Sequence, residues 1–190
     1  MLLIAGLLLF VGIHSVHLFA EGWRSSFIDS FGANTWKLLY SVLSLVGLAL
    51  LVYGYGQSRL APVQLWLPPI WTRHLAVLLT WLAFVLITAF YLPGNWIRQK
   101  LGHPMYAGIK LWAFAHLLAN GRLGDVLLFG TFLLWAIAGF AVSRRRDRLN
   151  GTAYPQGNMQ ATIVTVISGT FLWFVFAFWL HSILTGVQPV

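Results

Sequence analysis

The chain has 190 residues, of which 59% are hydrophobic and 8% charged. A soluble domain carries about a quarter charged residues, so that class and a disordered chain are both excluded, and the length suits a single domain. Twelve Lys and Arg against four acidic residues give a net charge of +8. The cations fall between apolar runs, where the positive-inside bias accounts for them, and nucleic-acid binding is not expected.

A membrane-spanning helix needs roughly 20 mostly apolar residues. Six such runs are predicted in chain order, at 2–20, 36–56, 74–92, 104–120, 124–143 and 161–184. The fold class is therefore all-α, a polytopic integral membrane helical bundle of about six transmembrane helices forming one domain over 1–190. The first run lacks a preceding cation and a small-residue cleavage site, so it reads as a retained helix. Pro93-Gly94 closes the third run, and the fourth is short. The polar stretch 144–160 is the longest connection and is expected to be mobile.

Six spans put both termini on one side. That side carries Arg59, Arg73 and Arg122, and the other carries Arg24, Lys37, Arg98, Lys100, Arg144, Arg145, Arg146 and Arg148. The second side is expected to be cytoplasmic, which places both termini in the periplasm if the membrane is a bacterial inner membrane. The run 144–148 reads as an orientation and headgroup anchor. The glycines Gly6, Gly12, Gly47, Gly108, Gly130, Gly139 and Gly169 read as close-packing positions between helices.

Six histidines carry the chemical signal: His14, His17, His74, His103, His116 and His181. His14 and His116 each fall about 12 residues into their spans, about 18 Å at 1.5 Å per residue, close to the middle of a roughly 30 Å core. The two spans run in opposite directions, so a matched depth is expected. His74 and His181 fall at the outer face, and His17 and His103 nearer the cytoplasmic one. Ionisable groups at such depth need partners. One reading is two neutral imidazoles hydrogen-bonded within the bundle; the other is two ligands to one iron.

The chain has no cysteine, which removes disulfides, iron–sulfur clusters, cysteine-ligated zinc and thiolate-ligated iron. Glu21, Asp29, Asp125 and Asp147 lie at span ends or in connections, so zinc at mid-depth lacks ligands. Haem b, whose iron accepts two imidazoles and whose ring is apolar, fits better. The candidate metal ligands are thus His14 and His116. Residues at i±3 and i±4 share a helix face, and this adds Phe10 and His17 around His14, and Trp112, Ala113 and Asn120 around His116. Ala113 leaves room for a flat ring, and Ser15, Asn120 or a backbone carbonyl could orient a ligating imidazole. Lys110, inside a span, is the cation best placed for a propionate.

The stretch Gly102-His103-Pro104-Met105-Tyr106-Ala107-Gly108 continuing to Ala115-His116-Leu117-Leu118-Ala119-Asn120-Gly121 resembles the NnrU family. His14-Ser15 and Asp125-Val126-Leu127-Leu128-Phe129-Gly130 go with it, and the likeness covers nearly the whole chain. It implies a bacterial inner-membrane protein associated with denitrification and nitric-oxide metabolism. That family is similar to the plastid zeta-carotene isomerases, membrane enzymes carrying haem b. Their axial histidines correspond to His14 and His116, and a cysteine of their motif is Ala113 here, which puts a redox-driven ligand switch in doubt. A weaker likeness runs through His103-Pro104-Met105-Tyr106-Ala107-Gly108 to isoprenylcysteine carboxyl methyltransferases, whose C-terminal cofactor motif the stretch Arg146 to Tyr154 matches only loosely.

The function expected is a haem b protein with bis-histidine ligation, acting as an isomerase on a hydrophobic small molecule or as a redox enzyme with an electron partner. The alternatives are a non-catalytic assembly factor for a respiratory reductase and an S-adenosylmethionine-dependent methyltransferase. In each case the lipid bilayer is a partner.

Overall fold

The computed structural model describes residues 1–189, which form helices with no strand beyond isolated bridges. In order these are α1 (Leu2–Phe19), α2 (Glu21–Phe31), α3 (Ala33–Ser58), α4 (Trp71–Tyr91), α5 (Trp96–Leu101), α6 (Pro104–Ala119), α7 (Leu123–Asn150), α8 (Met159–Val175), a π-helical turn (Phe176–Leu180) and α9 (His181–Thr185). Five helices are long and apolar enough to cross a membrane: α1, α3, α4, α7 and the continuous stretch Met159–Thr185. The sixth expected span, α6, has 16 residues. That is about 24 Å of helix, and Pro104 at its start and the extended Asn120 at its end fix the length. It packs between α4 and α7.

Neighbouring helices meet through small residues, which let backbones approach where lipid offers no hydrophobic drive to association. On α3, a Cβ at Gly47 would lie 2.9 Å from the Phe10 backbone nitrogen of α1. On α6, one at Gly108 would meet the Ala83 carbonyl of α4 at 2.9 Å. The expectation fails at Gly12 and Gly130, which have nothing within 4 Å of a built Cβ. Between α4 and α8 the polar ties are reciprocal: Trp81 Nε1 donates to Thr170 at 2.9 Å and Trp173 Nε1 to Thr80 at 3.2 Å.

Two features at the end carrying Arg144–Arg148 differ from expectation. The connection 21–31 is the helix α2, held by Trp23 and Phe27, whose rings lie 6.0 and 5.7 Å from that of Trp36. Arg146 also does more than anchor headgroups. Its guanidinium donates to the His17 and Leu18 carbonyls at 3.0 and 2.9 Å, satisfying the last carbonyls of α1.

The stretch 144–160 is tied down rather than free. Its first residues continue α7, which ends at Asn150. Tyr154 donates its hydroxyl to Asp147 at 2.6 Å, His103 Nε2 lies 2.8 Å from the same oxygen, and the Gly157 N–H donates to Gln99 at 2.9 Å. Burial and the adjoining Asp147 carboxylate push the Tyr154 phenol up to about 12. A phenol ionises at about pH 10 in an unfolded chain. The raised value stabilises the protonated form, so its contribution is complete below pH 10 and lost as pH rises through about 12. The thermal midpoint of Tyr154→Phe should therefore lie below that of wild type at neutral pH, and the gap should close above pH 12.

Candidate functional site

His14 and His116 share one local arrangement. Each ring leans back on its own helix, with His14 Nδ1 2.7 Å from the Phe10 carbonyl and His116 Nδ1 2.8 Å from the Trp112 carbonyl. A carbonyl only accepts, so a neutral ring must carry its proton on Nδ1 and keep a lone pair on Nε2. Neither Nε2 makes a hydrogen bond among the described residues. This is the orientation in which a histidine ligates a metal, its other nitrogen held by a carbonyl. Of the three orienting groups considered, the backbone carbonyl takes the part. Asn120 donates to the His116 carbonyl at 2.9 Å instead, and Ser15 to the Val11 carbonyl at 2.6 Å.

His17 differs. Its Nδ1 lies 3.0 Å from the His14 carbonyl and its Nε2 is 3.1 Å from the Tyr106 hydroxyl, so its lone pair accepts a bond. It lines an open cleft of about 850 Å³ with Arg24, Tyr40 and Arg146. Arg24 is paired with Glu21 at 2.7 Å. His103 is committed to Asp147 and Tyr154. All three fall within the two segments of the weaker methyltransferase likeness, and they hold the segment after α7 against the start of α6. Lys110 sits over the Phe140 ring, 3.9 Å from its centroid.

The two candidate ligands are not at matched depth. The His14 ring stacks on Phe10 at 4.2 Å and meets Trp135 at 6.4 Å. The His116 ring stacks on Phe129 at 4.4 Å and meets Trp112 at 5.0 Å. Trp135 and Phe129 are six residues apart on α7, about 9 Å along the axis. Between the imidazoles runs a chain of rings, Phe10 to Phe132 at 6.0 Å and Phe132 to Trp112 at 5.7 Å. The depth estimate errs because α6 ends soon after His116, which lies three residues from Ala119. Ala113 is fully buried in helix packing, and Phe10 and Trp112 brace the imidazoles directly.

Sequence reasoning set His181 at the outer face and did not bring it beside His116. Its ring centroid is 6.4 Å from that of His116 and the planes are 23° from parallel. Near them lies Asp125, 2% exposed, which accepts from the Tyr55 hydroxyl at 2.6 Å and from the Arg122 N–H at 3.1 Å. No group of three or more His, Asp or Glu residues converges on a point among the described residues.

A family model described as NnrU protein matches residues 2–189. The chain belongs to the NnrU family. No match was found among curated proteins or solved structures. In this NnrU chain the matched span takes in α1 to α9, so the histidines of α1, α6 and α9 all fall within the family's own extent.

Proposed function

We propose that this NnrU protein is a haem b protein of a bacterial inner membrane, with both termini in the periplasm and a role in nitric-oxide or denitrification metabolism. The observation that carries the haem reading is the shared arrangement of His14 and His116. Each has Nδ1 tied to the carbonyl four residues earlier and an unshared lone pair on Nε2. Family membership supports the metabolic setting, and the clustering of eight cations on one side supports the orientation.

Bound haem would supply a redox-active iron, and with two imidazoles on it a small ligand could bind only where one of them left. The chain's own part is to hold and shield it. Phe129 and Phe10, stacked on the two imidazoles, keep each ring from turning. The lone pairs of His116 and His14 are the candidate donors. Lys110, set over the Phe140 ring inside α6, is the cation a propionate would meet, since Arg24 is paired with Glu21 and Arg146 with the last carbonyls of α1.

The test is the visible spectrum of the membrane-extracted protein, oxidised and reduced, for wild type, His14→Ala and His116→Ala. A haem band in wild type that is weakened or lost in at least one variant is the expected result. A colourless wild type, or two variants with the wild-type spectrum, would end this reading.

A further inference from the structure

Between α1, α2, α3 and α7 the bundle leaves an open cleft of about 850 Å³ at the end that carries Arg144–Arg148. Its cations are Arg24 of α2 and Arg146 of α7, and Trp36 and Tyr40 of α3 are its aromatic walls. The one carboxylate on it, Glu21, is held by Arg24 at 2.7 Å, so that pair is neutral. Arg146 differs, because it meets only the His17 and Leu18 carbonyls. Carbonyls are dipoles rather than ions, and among the described residues no carboxylate lies within 4 Å of this guanidinium. The cleft therefore keeps one net positive charge. It also keeps donors: of the five N–H groups on each guanidinium, Arg146 uses two on carbonyls and Arg24 one on Glu21.

Next to these donors α2 sets an apolar surface. Trp23, Phe27 and Phe31 are spaced four residues apart and share one helix face. Trp23 and Phe27 pack on Trp36, yet Trp23 stays 55% exposed and Phe31 63%. Arg24, Ser25, Ser26, Asp29 and Ser30 supply the polar positions between them. A short helix with an aromatic row and a polar back lies in the plane of a membrane interface rather than crossing it. Its cation is then at the level of lipid headgroups and its rings at the top of the acyl chains. This end of the bundle carries eight cations against three carboxylates, Glu21, Asp29 and Asp147, so anionic lipids gather around it.

We propose that this cleft binds one anionic phospholipid. The phosphate accepts from the remaining N–H groups of Arg146 and Arg24, a charge-assisted contact that guanidinium geometry suits. The acyl chains cover Trp23 and Phe31. A free phosphate shares the headgroup chemistry but leaves those rings bare, and a zwitterionic lipid brings its own cation to a cleft that already has one in excess. The site is independent of the haem reading, since neither His14 nor His116 lines the cleft.

The experiment follows the thermal midpoint of the detergent-extracted protein as phosphatidylglycerol, phosphatidylcholine or inorganic phosphate is added, for wild type, Arg24→Gln, Arg146→Gln and Arg145→Gln. Each protein is compared with itself before addition, so the bonds to α1 that Arg146→Gln also loses do not enter the result. Arg24→Gln, which caps no helix, carries the test alone if Arg146→Gln does not fold. Phosphatidylglycerol at about a hundred times its dissociation constant should raise the wild-type midpoint by roughly 5–10 °C, and the other two additions should leave it in place. Arg145 is exposed and outside the cleft, so Arg145→Gln should keep the rise, whereas Arg24→Gln and Arg146→Gln lose at least half of it. No rise in wild type, an equal rise with phosphatidylcholine or with phosphate alone, an undiminished rise in either cleft variant, or an equal loss in Arg145→Gln overturns the lipid site.

Discussion

Gly54→Leu should lower the thermal midpoint of the detergent-extracted protein by roughly 2–12 °C, since overpacking costs about 1–3 kcal/mol and each kcal/mol is worth about 2–4 °C in a chain of this size. A Cβ at Gly54 would lie 2.7 Å from the Leu2 carbonyl carbon and 2.7 Å from the Leu3 Cα. Those are backbone atoms and have no rotamer to escape into, so α1 and α3 must part. Parting them opens the buried cluster of Leu3, Leu7 and Leu51. Gly12→Ala is the matched control. A Cβ there meets nothing within 4 Å, so the midpoint should hold or rise slightly as the unfolded chain loses freedom. Tryptophan fluorescence on heating reads both variants, and an unchanged midpoint for Gly54→Leu would show that this contact does not set the α1–α3 distance.

The contrast between Gly54 and Gly12 shows where sequence reading stops. Both are glycines in apolar spans, and nothing local distinguishes one facing a backbone from one facing lipid. The spans themselves were legible because the bilayer allows few solutions: a long apolar run must be a helix. The candidate site was legible only in part. His14 and His116 stand out because histidine within an apolar run is costly, and both have Nδ1 held by the helix carbonyl four residues earlier. Their separation was not legible, because it depends on how far α6 extends past His116 and on the level at which α1 meets α7. His181 was hidden for a sharper reason. Its position follows from a π-helical turn, which shifts the helical register, whereas face assignment assumes that register continuous. A run of bulky residues, Phe176-Ala177-Phe178-Trp179-Leu180, gives no local sign of the turn.

Asp125→Ala should destabilise the protein more than Tyr55→Phe, and the two losses should fall short of additive. The carboxylate is buried at the first turn of α7, where it accepts from the Arg122 N–H and complements the helix dipole. Its removal costs about 1 kcal/mol as a lost cap. It also strands the half-buried Tyr55 hydroxyl, whose bond to Asp125 is 2.6 Å, at a further cost of about 1 kcal/mol. Tyr55→Phe leaves the cap in place, so it gives up only one bond. Once Asp125 is alanine, the added Tyr55→Phe removes a donor that already lacks its acceptor, and the double variant should be no less stable than Asp125→Ala alone. The effect should also reach the histidines. Phe129, one turn after Asp125, carries the face on which His116 stacks at 4.4 Å, so a loosened start to α7 releases that ring. If haem is held at His116, Asp125→Ala should broaden or weaken its absorption band while Tyr55→Phe leaves it intact. Equal midpoints for the two single variants would mean that the cap adds nothing beyond the tyrosine contact, and the start of α7 would then owe its position to packing alone.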